Sequence, residues 1–271
     1  MIGWRLVRRD RQFLVDTLMP GYHDRERAVD LLDGDRELLA NMLEDEQLFQ
    51  RLMDEDDALV QVSPWLFFTV LLRRSRREIR QETFTIEERD RQKVVLFDTD
   101  RVTDLLEQDA VLDYLASMLA SFTRVHSVTV RYQVREGVWR RFRTSELNVE
   151  GMMRVAQSTE EPFRFEPYKR VADVCLFLTG MFPEYIEARH RYASSSKVRP
   201  GVRASMVVTR EDYEAHGRAF YKLAAEHEMA RVEGLDEVLG TLSERFVLAE
   251  KPLRFLARRY LQFARHKLFD V

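Results

Sequence analysis

The spacing with the clearest potential for chemistry is Glu184-x-x-Glu187-x-x-His190, in which three possible metal ligands recur at every third residue. Residues three apart share one face of an α-helix, and a Glu-x-x-His pair is half of a di-iron carboxylate site. Such a site also needs glutamates on facing helices and usually a second Glu-x-x-His pair, which this sequence lacks. The candidate metal ligands, with the nearest complements downstream, are Glu184, Glu187, His190, Asp212, His216 and Glu226.

The histidines could instead supply an axial ligand to a haem, as histidine does in several all-helical haem proteins. His190, His216 and His227 are the candidates, and their spacing selects none of them. The competing interpretation is a solvated charged face, because a glutamate three residues before a histidine arises easily among 46 acidic residues. We therefore predict no metal or cofactor, and iron or haem is the alternative.

A second candidate region alternates apolar and polar residues from Val128 to Arg135 and continues from Val138 to Arg143. With Glu136-Gly137 between the two runs, this pattern predicts a two-stranded β-hairpin. Arginines pair with phosphates and aromatic rings stack on bases, so the hairpin is a candidate nucleic-acid site. Its candidate residues are Arg131, Arg135, Arg140, Arg141 and Arg143, interleaved with Tyr132, Trp139 and Phe142.

Two helices followed by a basic hairpin are similar in order to a winged-helix DNA-binding domain. The helix that would enter the groove, Asp109 to Phe122, presents Asp109 and Asp113 and carries no lysine or arginine before Arg124. Phosphates would repel these carboxylates. An exposed hairpin face solvated by its arginines is therefore the favoured interpretation, and nucleic acid is possible but not the favoured partner.

Charge is segregated along the chain, although it sums to a formal net of -3. Between Gly21 and Val60 the acidic side chains outnumber the basic ones by about nine, whereas Lys251 to Lys267 holds six cations and no acid. These segments could dock on each other or on a partner. A further basic cluster, Arg73 to Arg80, complements the dipole at a helix C-terminus, with an anion or acidic-partner site as the alternative.

The common nucleophilic and nucleotide-dependent enzyme classes find little support. Cys175 is the single cysteine and stands in an apolar helical run, where a buried thiol is normally inert. The sequence contains no Gly-x-Ser-x-Gly, no phosphate loop ending in Lys-Ser or Lys-Thr, no Gly-x-Gly-x-x-Gly and no His-Glu-x-x-His. An enzymatic function is left open, but a non-enzymatic one is favoured.

Helices must position most of these residues. Apolar residues recur at spacings of three and four from Arg11 to Glu55, which predicts several short amphipathic helices. A longer helix is predicted from Asp57 to Gln81, with Ser63-Pro64 opening its second half and the apolar run Trp65 to Leu72 buried. With further helices towards the C-terminus, the predicted fold is mainly α, a multi-helix globular bundle with one small β-hairpin insertion.

The length of 271 residues and 45% hydrophobic content suit one large core. No linker demands independent domains, so we predict a single helical domain over residues 1–271. Its possible subdivisions are N-terminal acidic helices (1–92), helices plus the hairpin (93–158) and a C-terminal helical bundle (159–271). One cysteine fits a reducing compartment, and the charged N-terminal residues predict no signal peptide, so a cytoplasmic protein without a membrane partner is expected.

The stretch from Asp173 to Glu184 reads Asp-Val-Cys-Leu-Phe-Leu-Thr-Gly-Met-Phe-Pro-Glu, and Asp212-Tyr213, Gly217 and Phe220-Tyr221 follow it. It resembles a motif in a family of uncharacterised bacterial proteins, Asp-x-x-Leu-Phe-Leu-x-Gly-x-Phe followed by Asp-Tyr-Tyr and by Gly and Tyr positions. The resemblance covers about 50 residues and departs at Glu214, where a second tyrosine is expected. It implies a helical bacterial protein and no particular reaction.

The residues of this motif predict a helix-packing corner. Gly180 permits a close approach or a bend, and Pro183 can restart a helix. Gly217, with Phe220 and Tyr221 one turn later, would pack a second helix into the corner. Amphipathic helices and segregated charge thus outweigh any complete catalytic constellation, which predicts a regulator, adaptor or assembly subunit that works through a protein partner or a homo-oligomer.

Overall fold

The computed structural model describes residues 6–54, 58–82, 85–89, 92–96, 98–123, 129–135, 137–143, 147–188, 209–262 and 268–269. Helices account for most of these residues, which confirms the predicted mainly α fold. The described strands form two separate two-stranded antiparallel hairpins. One of them is the predicted hairpin, and the structure adds a second one.

Close contacts divide the chain into two compact units. The first unit comprises Met1–Arg124 with Arg258–Leu261, and the second comprises Val125–Ala257 with Gln262–Val271. The first boundary therefore falls inside the predicted segment 93–158, between its helices and its hairpin. The single domain over residues 1–271 stays a prediction.

The first unit is built around one long central helix. Its helices are α1 (Arg8–Leu18), α2 (Arg25–Gly34), α3 (Arg36–Met42), α4 (Glu46–Asp54), α5 (Ala58–Gln61), α6 (Pro64–Gln81), α7 (Thr99–Glu107) and α8 (Asp109–Phe122). Helix α6 packs against α4, α7 and α8. Every residue from Trp65 to Leu72 is buried, as the predominantly apolar run predicts.

A buried carboxylate fixes the start of α6. The Ser63 side chain caps the helix by accepting from the backbone N–H of Leu66, and Pro64 occupies the first turn. Asp10 of α1 is buried and accepts from the Ser63 backbone N–H at 2.6 Å and from its hydroxyl at 2.7 Å. Asp10 thus holds the beginning of α1 against the beginning of α6.

The second hairpin lies in the first unit and pairs β1 (Thr85–Arg89) with β2 (Gln92–Leu96). The sequence predicts a short strand here only at Val94 to Phe97, of which Val94 to Leu96 lie in β2 and Phe97 lies outside the described residues. Strand β1 contains a single large apolar residue, Ile86, among charged and polar ones. Strand β1 is therefore identified by its pairing with β2 and not by its own sequence.

The second unit begins with the predicted hairpin and continues as helices. Its elements are β3 (Thr129–Arg135), β4 (Val138–Arg143), α9 (Val149–Ser158), a 3₁₀ turn (Glu161–Phe163), α10 (Phe165–Met181), α11 (residues 183–188), α12 (Arg210–Glu226), α13 (Glu228–Glu233), α14 (Asp236–Glu244) and α15 (Phe246–Arg259). The last two residues of α15 belong to the first unit. The Asn148 side chain caps α9 by accepting from the backbone N–H of Gly151.

Helix α10 is the core of the second unit. Its residues from Val171 to Met181 are all buried, and it packs mainly against α12 and α9. Two glycines make room for side chains of α15: a Cβ on Gly180 of α10 would lie 2.6 Å from the Cβ of Leu253, and one on Gly217 of α12 would overlap the Phe246 ring. The predicted helix-packing corner around the motif is confirmed.

The position of Pro252 in α15 differs from the one that the sequence predicts. The sequence predicts that Pro252 opens a helix, because proline favours a first turn. Instead, Pro252 lies inside α15, which begins at Phe246. The prediction of a helix start was wrong because burial of Phe246, Leu253 and Leu256 holds the helix together across the proline.

Within the described residues, no helix combines the length and apolar character needed to cross a bilayer.

Candidate functional site

The most buried group of charges lies in the second unit and is centred on Glu250, whose side chain is 0% exposed. Glu250 Oε2 accepts from Arg210 Nη2 at 2.8 Å and from the Arg254 guanidinium. Arg254 Nε also donates to the Thr179 carbonyl at 3.2 Å, and Arg210 Nε lies 2.8 Å from Glu214 Oε1. We call these four side chains, Arg210, Glu214, Glu250 and Arg254, the Glu250 cluster.

The Glu250 cluster joins three helices. Arg210 and Glu214 come from the first turns of α12, Glu250 and Arg254 from α15, and the Thr179 carbonyl from α10. A cation in the first turn of α12 opposes the helix dipole, so the two carboxylates compensate it locally. Two guanidiniums and two carboxylates balance in charge, which is the arrangement expected of a structural ion-pair network.

A second buried polar pair lies on the opposite flank of the motif. Tyr221 donates its hydroxyl to Asp173 Oδ1 at 2.9 Å, and both side chains are buried. One turn earlier, burial lowers the pKa of Lys169, but the carboxylates of Asp173 and Glu166 outweigh it and raise that pKa overall. Asp173 therefore works as a buried acceptor between α10 and α12, which gives the first residue of the motif a packing role.

Cys175 is unsuited to nucleophilic chemistry in this environment. It is fully buried on α10, and its Cβ would lie 3.1 Å from a Cβ on Gly217. Burial, together with the carboxylates of Asp173 and Glu250, raises the pKa of its thiol far above the usual range. Since the thiolate is the reactive form, this cysteine is a packing residue, as its apolar neighbours in the sequence predict.

The predicted metal ligands are placed in different surroundings. Glu184 is half-buried and Glu187 exposed on α11, while Asp212 accepts from the Thr209 backbone N–H at 2.8 Å in the capping box of α12. His216 is half-buried, and the exposed Glu226 lies 3.9 Å from Lys222. His190 lies outside the described residues.

Among the residues that the structure describes, no three His, Cys, Asp or Glu side chains are grouped so that they could hold a metal ion. The capping role of Asp212 and the ion pair of Glu226 give these two carboxylates local functions. The proposed metal and haem sites, which include His190, stay predictions.

His227 has a structural role at the turn between α12 and α13. Its Nδ1 accepts from the Met229 backbone N–H at 3.2 Å, which caps α13. Its Nε2 lies 2.9 Å from the Glu161 carbonyl, and its ring lies against Phe165. With Nδ1 accepting, Nε2 carries the proton and donates it to that carbonyl. Both ring nitrogens are thus engaged in this geometry.

The basic residues of α6 form the largest ion-pair group of the first unit. Arg73 Nη1 donates to Glu44 Oε1 at 2.9 Å, and Arg76 pairs with the same oxygen. Arg77 donates to the Glu44 carbonyl at 2.6 Å. Further pairs join Arg74 to Glu46 and Glu78, Arg80 to Glu107, and Arg73 to Asp109.

These contacts define a second network, the Glu44 cluster, comprising Arg73, Arg74, Arg76, Arg77, Glu44 and Glu46. The acidic turn between α3 and α4 supplies the carboxylates, and α6 supplies the cations. The acidic segment Gly21 to Val60 therefore docks in part on the arginines of α6. Lys251 and Arg254 of the predicted basic segment are instead buried in the second unit.

The β3–β4 hairpin carries the five arginines that the sequence marks as nucleic-acid candidates. Its register pairs Thr129 with Arg143, Val130 with Phe142, Arg131 with Arg141, Tyr132 with Arg140 and Gln133 with Trp139. A bulge then shifts the register, so that Arg135 pairs with Val138. Trp139 is 56% exposed, whereas the neighbouring Val138 is half-buried.

Large apolar side chains are also exposed where α12 meets α13. Leu223 lies one turn before the end of α12, and Met229 and Val232 lie three residues apart on α13. Residues at that spacing share a helix face. We call Leu223, Met229 and Val232 the corner patch; the helical periodicity of the sequence does not reveal which of its apolar residues stay exposed.

Comparison with known proteins adds no relative. No protein-family model, no curated protein and no solved structure matches the chain.

Proposed function

We propose that the chain acts through contacts with another protein, as a regulator, adaptor or assembly subunit, and that the corner patch is part of the contact surface. The observation that carries this proposal is the exposure of three large apolar side chains within ten residues of one helix–helix turn. Single exposed apolar residues are normal on protein surfaces. A cluster of them is more typical of an interaction site.

The geometry of α13 favours burial of the patch on binding. Val232 is 71% exposed, and Met229 presents its side chain on the same face of the helix. Removing one such side chain from water contributes about 1.5–3 kcal/mol. Burial of these side chains under a partner would therefore contribute favourably to the free energy of binding.

Charged residues are interspersed with those of the corner patch along both helices. The exposed ones are Lys222, Glu226, Glu228, Arg231 and Glu233. An apolar centre within a polar and charged rim is the usual composition of a protein interface. The mixed signs of the rim favour a partner with complementary charges over a uniformly charged polymer such as a nucleic acid.

The ionisable and polar groups described above have structural contacts, which supports a function through protein contact. The Glu250 cluster, the Glu44 cluster, Asp173, Asp212 and His227 all make contacts that stabilise helices or join them. Cys175 is buried with a raised pKa. These residues have structural explanations, whereas the corner patch has none within the part of the chain that the structure describes.

The test compares two valines with nearly equal exposure. Val232, 71% exposed, lies in the corner patch, and Val60, 72% exposed, lies on α5 of the first unit. In native lysate, we expect the wild-type chain and Val60→Lys to elute in a complex larger than the monomer. Val232→Lys should release the monomer, because a buried lysine at an interface costs several kcal/mol.

Circular dichroism and thermal unfolding of the two variants provide the folding control, and both should match the wild type. A wild-type chain that elutes only as a monomer and recovers no partner would contradict the proposed function. A complex that survives Val232→Lys but not Val60→Lys would move the contact surface away from the corner patch.

A further inference from the structure

The register of the β3–β4 hairpin sorts its five arginines onto two faces. Residues along a strand alternate between faces, and directly paired residues share one. Arg131, Arg141 and Arg143 therefore lie at positions on the same face as Trp139, with Gln133 and Thr129. Arg140 and Arg135 lie at positions on the other face, paired with Tyr132 and with Val138.

The Trp139 face combines an exposed aromatic residue with a concentration of cationic positions. Trp139 is 56% exposed, and Val138, on the other face, is half-buried. Arg131 and Arg141 are direct cross-strand partners. Like charges at such positions of a hairpin repel each other. An anion bound over the face would compensate the repulsion.

We propose that the Trp139 face binds single-stranded nucleic acid, with a base stacked on Trp139 and phosphates paired with Arg131, Arg141 and Arg143. Alternate residues of a strand lie about 6.6–7 Å apart, which is close to the separation of successive phosphates in an extended strand. Aromatic stacking beside cationic positions is the usual basis of sequence-tolerant single-strand binding. This surface uses other residues than the corner patch, and its binding does not depend on the protein partner proposed there.

A single strand fits this face better than a duplex or an acidic protein. A paired duplex keeps its bases stacked inside, so an exposed tryptophan gains little from it. An acidic peptide satisfies the arginines but offers no ring to stack on Trp139. The formal net charge of -3 provides no general attraction for polyanions, so binding must depend on this local face.

The two faces supply matched variants. We would measure fluorescence anisotropy of labelled oligo(dT) and oligo(U) of about 20 nucleotides with the full chain, over a range of salt. Trp139→Ala should weaken binding roughly 10-fold. The double variant Arg141→Ala/Arg143→Ala should weaken it further and reduce the slope of log K against log salt by about 1.4.

The control double variant, Arg135→Ala/Arg140→Ala, removes the same charge from the opposite face and should keep the affinity within about 3-fold and the salt slope unchanged. Unfolding of Arg141→Ala serves as the folding control: the midpoint should stay or rise, because a like-charge pair is relieved.

Several results would overturn the proposal. These are no retention of either oligonucleotide at low salt, equal losses in the two double variants, and a duplex of the same length binding as tightly as the single strand. Polyglutamate binding that equals oligonucleotide binding and is insensitive to Trp139→Ala would assign the face to an acidic protein instead.

Discussion

The Glu44 and Glu250 clusters use the same chemistry, arginines converging on one glutamate, in opposite environments. The Glu44 side chain is 36% exposed, whereas Glu250 is 0% exposed. Water can replace a lost partner at the surface, so exposed ion pairs contribute little. In the interior, loss of one partner leaves an uncompensated charge. Loss of one partner should therefore lower the free energy of unfolding only a little in the Glu44 cluster and much more in the Glu250 cluster.

The segregated charges of the sequence form ion pairs in both units. The acidic turn at Glu44 to Glu46 is occupied by the arginines of α6, and Arg254 of the basic C-terminal segment is occupied by Glu250. In the described parts of these segments, clustered charges therefore hold helices together. The contact proposal depends on exposed apolar residues instead.

The largest effect is expected from Glu250→Ala. It removes the buried carboxylate that pairs with both Arg210 and Arg254 and should destabilise the second unit by about 3–5 kcal/mol. Urea unfolding followed by far-ultraviolet circular dichroism measures this loss. Exposed Glu228→Ala is the control and should change little. A Glu250→Ala variant as stable as that control would contradict a structural role for the cluster.

Packing in the second unit can be tested with two helical glycines. Gly217→Ala places a Cβ against Phe246 and should cost about 1–3 kcal/mol, because the core is already close-packed. Gly240→Ala, at a position with nothing within 4 Å, should stabilise α14 by about 0.5–1 kcal/mol. Thermal unfolding should shift in opposite directions, and equal shifts would refute the close approach at Gly217.

Glu44→Ala removes the centre of the surface network and should cost only about 1 kcal/mol. Arg73 is itself buried, but it keeps Asp109 at 3.5 Å, and water reaches Arg76 and Arg77, which are partly exposed. The same urea titration measures it. A loss as large as that of Glu250→Ala would mean that exposure does not distinguish the two clusters.

The smallest effect concerns acid stability of the first unit. A hydrogen bond from the Gln50 amide, supported by Arg74, lowers the pKa of Glu46. A lowered folded-state pKa adds stability above the unfolded pKa, and that stability is lost as pH falls through the folded value. Glu46→Gln should therefore remove about 0.2–0.5 kcal/mol of the acid dependence. Unfolding curves between about pH 5 and 3 test this, and an unchanged slope would contradict it.

Local signals made much of the fold predictable. The apolar run Trp65 to Leu72 predicts a buried helix, the serine and proline before it predict the helix start, and the alternation of β3 and β4 predicts their hairpin. The motif glycines likewise predict close helix packing, which the structure places against side chains of α15 and, for Gly217, also against Cys175 of α10. Each of these signals depends on residues near one another in the chain.

Features that depend on distant residues escaped prediction. Glu250 and Arg210 are 40 residues apart, and Glu44 is 29 from Arg73, so neither cluster has a local pattern. Strand β1 lacks apolar alternation, and Pro252 lies within a helix that tertiary burial maintains. Exposure of Val232 is also non-local, because it depends on which faces of α13 the rest of the unit covers.

The most direct test of the contact proposal is site-specific photo-crosslinking in living cells, with a benzophenone amino acid at Val232 and, as the matched position, at Val60. We predict one discrete crosslinked protein band at position 232, absent or much weaker at position 60. No crosslink at position 232 above the level at position 60 would contradict the assignment of the corner patch as the surface through which this chain acts.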